Sequence, residues 1–343
     1  MKERPLNGYF INHSKLPLSS ENWFNGSFQD SLELYLKDSI SLKSSFVRLK
    51  NQIDFSIFRH LNVKDVSIGK DNYFFRYTRY FVYGGDYHGD NKLEQDVLRL
   101  KRVQDTLKKK GKFLVFVIAP DKLWIYNEFL NDPNVLNPNS TKYYDTYVKL
   151  MNKYNCDFID LNAAFLELKP KSEYALFAKG GSHWTEFGAF FGLDSIVNYI
   201  KKNTKYTFPK PVIIKSNVDG NPWFFDEDIF NASNLQFNIP ENNLFLHPKL
   251  SSPKKERTTK AILCGDSFCH AICWQDFYAN YFHEESTFWY YNRVINKANN
   301  KLIGDVTEKN ARIFIKKSDI YIVLFSAGNV GNFEYGFLNH FEK

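Results

Sequence analysis

Cysteine is scarce in this chain, with four among 343 residues. Cys156, Cys264, Cys269 and Cys273 neither build a disulfide framework nor repeat the paired C-x-x-C of a zinc site, so they read as structural thiols. Long apolar runs are missing as well. The longest, 113–120 and 320–325, fall far short of the roughly 18 residues that a membrane span needs, although each suffices for a buried strand. The opening Met1-Lys2-Glu3-Arg4-Pro5 has no apolar stretch behind it, so no secretory signal is read there. Basic stripes are absent: 45 Lys and Arg are interspersed with 38 Asp and Glu for a net charge of +7, and nucleic acid is not an expected partner. Low-complexity segments and internal repeats are lacking too, which excludes disorder, collagen and coiled coil. What the chain does have is aromatic residues, 33 Phe, 21 Tyr and 6 Trp, enough for an ample core in one large domain.

The middle of the chain alternates helical and buried-strand patterns, as in an α/β domain with a mostly parallel sheet. Leu93, Val97, Leu100, Val103 and Leu107 recur at helical spacing, Gly111 stands where such a helix ends, and a strand follows at 112–119. A helix is predicted at 143–154, a strand at 156–161, and a helix from Thr185 to about Lys202. Residues 203–258, rich in Asn, Pro and Lys, break the alternation and read as an insertion with short strands. The pattern resumes with a strand at 261–264, a helical stretch through Ala271, Trp274, Phe277 and Tyr281, and a last strand at 320–325. Residues 1–90 differ in kind: helices are predicted at 28–36 and 46–58 and paired aromatic strands at 66–83, forming an extension packed on a core of residues 91–343.

Gly265-Asp266-Ser267-Phe268 stands directly after an apolar strand and before a helix. That places the Ser267 hydroxyl at the carboxyl end of a parallel strand, where open α/β sheets place their ligands. Its own N–H would face a developing oxyanion from a helix N-terminus, with Gly265 permitting the tight turn and Asp266 beside it. A serine nucleophile needs a base. His183, in Gly181-Ser182-His183-Trp184-Thr185, emerges at a strand/helix junction with Thr185 as N-cap; His270, three residues beyond the serine, would point away from the hydroxyl. His183 is therefore the expected base.

These segments resemble the SGNH-hydrolase-like alginate O-acetyltransferases of the AlgJ/AlgX type. The resemblance runs, in order, through residues 23–29, 47–53, 68–75, 118–122, 158–161, 183–189 with their H-W-T-x-x-G-A pattern, 265–268 and 290–292. It implies a flavodoxin-like SGNH sheet flanked by helices, with permuted motif order, because His183 precedes Ser267. One position departs from the family pattern D-x-H-W: Gly181 stands where the aspartate is expected. A triad acid fixes the imidazole tautomer, so a substitute is sought, with Asp160 at the end of a strand first, Asp121 and Glu186 behind it, and a backbone carbonyl as a further option. Asn329 is placed as a second oxyanion donor, Lys122 as a source of positive potential at the site, and Trp184 as a sugar-stacking platform.

The resemblance implies an O-acetyltransferase that passes an acetyl group through Ser267 to hydroxyls of a bacterial surface or exported polysaccharide. It further implies no metal or other cofactor, a membrane-bound O-acyltransferase as acetyl supplier, and a periplasmic or membrane-anchored location with the anchor outside this chain. A carbohydrate acetyl esterase using the same pair and a non-catalytic glycan-binding protein with a decayed triad are the alternative readings.

Overall fold

The computed structural model describes residues 5–8, 15–39, 42–77, 87–132, 138–251, 256–274, 276–297 and 299–341. Its strands are β1 (Val66–Ile68), β2 (Phe74–Arg76), β3 (Phe113–Ala119), β4 (Phe158–Asp160), β5 (Ile213–Asp219), β6 (Phe245–Leu250), β7 (Ala261–Gly265), β8 (Thr287–Tyr290), β9 (Arg293–Ile295), β10 (Leu302–Asp305) and β11 (Ile320–Ser326). Seven of them form one sheet in the order β10-β9-β8-β7-β11-β3-β4. From β8 to β4 every pairing is parallel, while β9 and β10 add an antiparallel edge.

The two most apolar strands take interior positions for a physical reason. β11 and β3 are buried along their whole length, as strands of a parallel sheet that are paired on both edges and covered on both faces must be. On one face the helix Asp90–Lys109 buries Leu93, Val97, Leu100, Val103 and Leu107, the residues whose spacing predicts it. On the other lies the helix Glu186–Asn203, capped by Thr185, whose side chain accepts from Gly188 N. An apolar cluster lies on each side of the sheet.

The predicted helices at 28–36 and 46–58 appear as Ser27–Ser39 and Lys43–Phe58, and the helix predicted at 143–154 as Pro138–Lys153. Of the aromatic strands predicted over 66–83, β1 and β2 pair antiparallel, and residues 78–83 lie outside the described residues. Residues 203–258 contain the antiparallel pair β5 and β6, but also the unforeseen helix Asp228–Ser233. Phe55 and Phe74 pack with Ile229, Phe230 and Leu235, so the N-terminal segment and this excursion share a small core. Strands β8 to β10 and the helix Glu308–Lys317 were also not foreseen. The strands are three or four residues long, too short for a pattern to show, whereas the helix is amphipathic, capped by Thr307 and packed through Ala311, Phe314 and Ile315, and its pattern was passed over.

Candidate active site

The carboxyl ends of β7, β11 and β3 meet at one edge of the sheet and bring Ser267, Asn329 and Asp121 to a common cleft. Gly265 closes β7 in a place where a Cβ would stand 1.9 Å from Leu324 O on β11 and 2.6 Å from Cys269 Sγ. The glycine is therefore required by close approach of the neighbouring strand, rather than by the tight turn expected from the sequence. Asp266 is fully buried. Its Oδ1 accepts from Phe268 N at 3.1 Å, and its Oδ2 accepts from Ser326 N at 2.8 Å and Asn329 Nδ2 at 3.0 Å. Asp266 thus ties the turn that carries Ser267 to the end of β11. Asn329 is held by one N–H and keeps its second for the cleft, and the Ser267 backbone N–H has no partner among the described residues.

His183 reaches this turn from the loop ahead of the helix Glu186–Asn203, with Nε2 2.7 Å from Ser267 Oγ. Its side chain is about a quarter exposed, and the ring packs on Phe268. The other ring nitrogen, Nδ1, lies 3.4 Å from Asp228 Oδ2 and 3.3 Å from Ser182 Oγ. Ser182 anchors the carboxylate, donating its hydroxyl to Oδ2 and its backbone N–H to Oδ1, each at 2.6 Å. A carboxylate can only accept, so Nδ1 carries the proton and Nε2 presents a lone pair to the serine. Burial alone would depress the His183 pKa, but the Asp228 charge and its hydrogen bonding outweigh that and raise it above the ordinary histidine value. Burial likewise opposes the Asp228 charge, yet His183 and Ser182 hold the carboxyl well below the usual range.

The acid beside His183 is therefore Asp228 and not Asp160. Asp160 caps the helix Leu161–Leu168 through Ala163 N and accepts from Tyr144 OH at 2.7 Å. Asp121 caps a short helix through Leu123 N, and burial pushes its pKa up to about 7. Glu186 is engaged 2.5 Å from His247 Nδ1. Sequence reading missed Asp228 because it comes from the excursion, 45 positions beyond the histidine, where no local pattern marks it. Gly181 shows how the exchange is built. A Cβ there would stand 1.7 Å from Asp226 O, so the backbone leading to Asp228 fills the space of the expected side chain. Gly181→Ala is expected to cost about 1–3 kcal/mol of stability and to slow ester hydrolysis by displacing residues 226–228. Thermal unfolding and p-nitrophenyl acetate turnover measure both, and a variant unchanged in both would refute this account.

Two other expectations are corrected. Lys122 does not face a substrate: it is buried, and its Nζ lies 2.7–2.8 Å from the carbonyls of Phe74, Ala178, Lys179 and Gly181. It clamps the loop that carries His183 to β2. Burial lowers its pKa to about 7 against the opposing charges of Asp228, Glu241 and Asp121. Trp184 is fully buried between Phe165 and Phe268 and donates Nε1–H to Phe268 O, so it braces the site and offers no platform. The four cysteines are free and buried. His270 turns its ring to Phe288 and Tyr290.

Ser267 and His183 lie between two clefts. A polar one of 240 Å³ includes Arg76, Asp121, Ser326 and Asn329; a more apolar one of 330 Å³ includes Trp223, His270, Ala271 and Asn300. A hydroxyl held to an imidazole, a carboxylate behind that ring and two N–H groups nearby form an arrangement suited to acyl transfer.

Residues 66–212 match the family model described as the SGNH hydrolase-like domain of the acetyltransferase AlgX. The probable alginate O-acetylase AlgJ of Pseudomonas putida is 21% identical over 180 residues, covering 52% of this chain and 45% of that protein. The chain thus matches less than half the length of this curated relative. Among solved structures, the O-acetyltransferase domain of Pseudomonas putida AlgJ aligns with a TM-score of 0.51 at 20% identity, covering 78% of this chain and 92% of that one. Pseudomonas aeruginosa AlgX aligns with a TM-score of 0.50 at 14% identity, covering 82% and 70%. The fold is shared with these domains.

Proposed function

We propose that this AlgJ/AlgX-like chain is an O-acetyltransferase that moves an acetyl group through Ser267 onto hydroxyls of an exported bacterial polysaccharide. The observation that carries the reading is the 2.7 Å contact between His183 Nε2 and Ser267 Oγ, with Asp228 behind the ring. Ser267 Oγ attacks the carbonyl carbon of the donor ester while His183 Nε2 takes the hydroxyl proton. Ser267 N–H and the free N–H of Asn329 stabilise the oxyanion. His183 then returns the proton to the departing alcohol, which leaves acetyl-serine. In the second half a sugar hydroxyl gives its proton to His183 and attacks the acetyl carbon; the bond to Ser267 breaks, and the serine recovers its proton. Asp228 stabilises the imidazolium formed in each half.

The membrane supplier is proposed on the same resemblance: a membrane-bound O-acyltransferase that brings acetyl groups to an extracytoplasmic enzyme. No helix among the described residues is long and apolar enough to cross a membrane.

The test is intact-protein mass spectrometry after p-nitrophenyl acetate, followed by addition of oligosaccharides. A single acetyl adduct that is discharged to sugar supports the reading; folded protein that forms no adduct refutes it. The pH profile is a further check. His183 acts as base only when neutral and its pKa is raised, so adduct formation is expected to increase with pH about a midpoint above the ordinary histidine value of about 6.5. Asp228→Asn removes the group that raises this pKa, so the midpoint is expected to fall. A wild-type midpoint below 6.5 would contradict the assignment of Asp228 as the partner charge.

A further inference from the structure

The more apolar cleft is built from two sources. The excursion supplies Trp223, three residues before Asp226 and five before Asp228, while the helix that follows the nucleophile supplies His270 and Ala271. Its 330 Å³ falls within the ordinary range of small-molecule sites, about 300–1,000 Å³. An indole wall faced by a few polar groups matches a pyranose, whose C–H face is apolar and whose rim carries hydroxyls. His270 is held in place by Phe288 and Tyr290, with its backbone N–H on Ser267 O. Burial lowers the pKa of its imidazole below the ordinary histidine value against a hydrogen bond with Asn300, so the neutral ring keeps one nitrogen for a sugar hydroxyl.

Charge narrows the class of sugar. Among the described residues that line this cleft there is no lysine or arginine, while Asp228, whose carboxyl is held in its charged form despite burial, belongs to its wall. A carboxylate seated there would lose its hydration with no lysine or arginine to meet it and with the Asp228 charge close by. The Arg76 guanidinium lies in the polar cleft instead.

We infer that the Trp223–His270 cleft seats an uncharged pyranose ring of the acceptor, stacked on Trp223 with one hydroxyl on His270, and that filling it turns the acetyl-enzyme from hydrolysis to transfer. The inference rests on the acetyl-serine reading above and adds the class of sugar and the residues that select it. A ring in this cleft displaces water from beside Ser267 and holds a hydroxyl near the acetyl carbon. Trp223 and Asp228 share one segment, so the element that orients His183 also forms the acceptor wall.

The test starts from acetyl-enzyme made with p-nitrophenyl acetate and measures the ratio of acetyl transferred to acetyl hydrolysed. The probes are tetramers of glucose, mannose and N-acetylglucosamine against a mannuronate tetramer. At least one neutral tetramer is expected to be acetylated about ten-fold or more above mannuronate. Trp223→Ala and His270→Ala are each expected to lower the ratio for that sugar about ten-fold, and Trp223→Phe to keep most of it. Preference for mannuronate, equal use of charged and neutral sugars, or acetyl-enzyme that passes to none of the neutral tetramers would overturn the inference. So would ratios unchanged in both alanine variants. Absence of any acetyl-enzyme in wild type is a separate outcome, which overturns the acetyl-serine reading and this inference with it.

Discussion

Ser267→Ala is expected to abolish the acetyl adduct altogether, and His183→Ala to slow its formation on the order of 10^6-fold. In the proposed reaction Ser267 Oγ is the atom acylated, so its loss leaves nothing for acetyl to join. The histidine lies 2.7 Å from that atom and is the base within reach, and a hydroxyl with its ordinary high pKa attacks esters poorly without one. Neither change disturbs the fold much, because the fully buried groups of this edge are Asp266 and Trp184, not these two. Rates of p-nitrophenyl acetate turnover and the intact mass of each variant measure the effect. A serine-free protein that still takes up one stoichiometric acetyl group would move the nucleophile elsewhere.

Asp228→Asn is expected to lower the rate about 10^4-fold. A carboxylate accepts the Nδ1–H and leaves the Nε2 lone pair on Ser267, whereas an amide turned to donate to Nδ1 favours the opposite tautomer. The contact is 3.4 Å, with Ser182 Oγ placed against both partners, so part of the orientation passes through that hydroxyl. Placing an aspartate at 181 is not expected to rescue an Asp228→Ala protein. Any Cβ at 181 meets Asp226 O at 1.7 Å, and the backbone that must move is the one that carried Asp228. Steady-state rates of the single and double variants test this. Loss of less than about ten-fold in Asp228→Asn would mean that the serine–histidine pair works without an acid.

Long elements were legible because their residues do one thing. β3 and β11 are continuous apolar runs, and the helix Asp90–Lys109 repeats its buried positions at helical spacing. The strand–GDS–helix turn and the loop bearing His183 were legible because local chemistry marks each. Short edge strands were not, since half-exposed elements of a few residues leave no period to read. Lys122 and Trp184 were misassigned for a shared reason: one residue name serves a cleft or a core equally well, and the ring of carbonyls around Lys122 Nζ comes from segments 48 to 59 positions away.

The sequence by itself determined the α/β class and marked the strand–GDS–helix turn and the loop that carries His183, because each is written in neighbouring residues that also set the local backbone. It marked the gap at Gly181 without showing what fills it. The tertiary structure decided the acid, the clamp of Lys122 and the two clefts, since each depends on where the excursion lands against the sheet edge. That landing is fixed by packing of Ile229 and Phe230 against Phe55 and Phe74, a contact between segments more than 150 residues apart that no local pattern encodes.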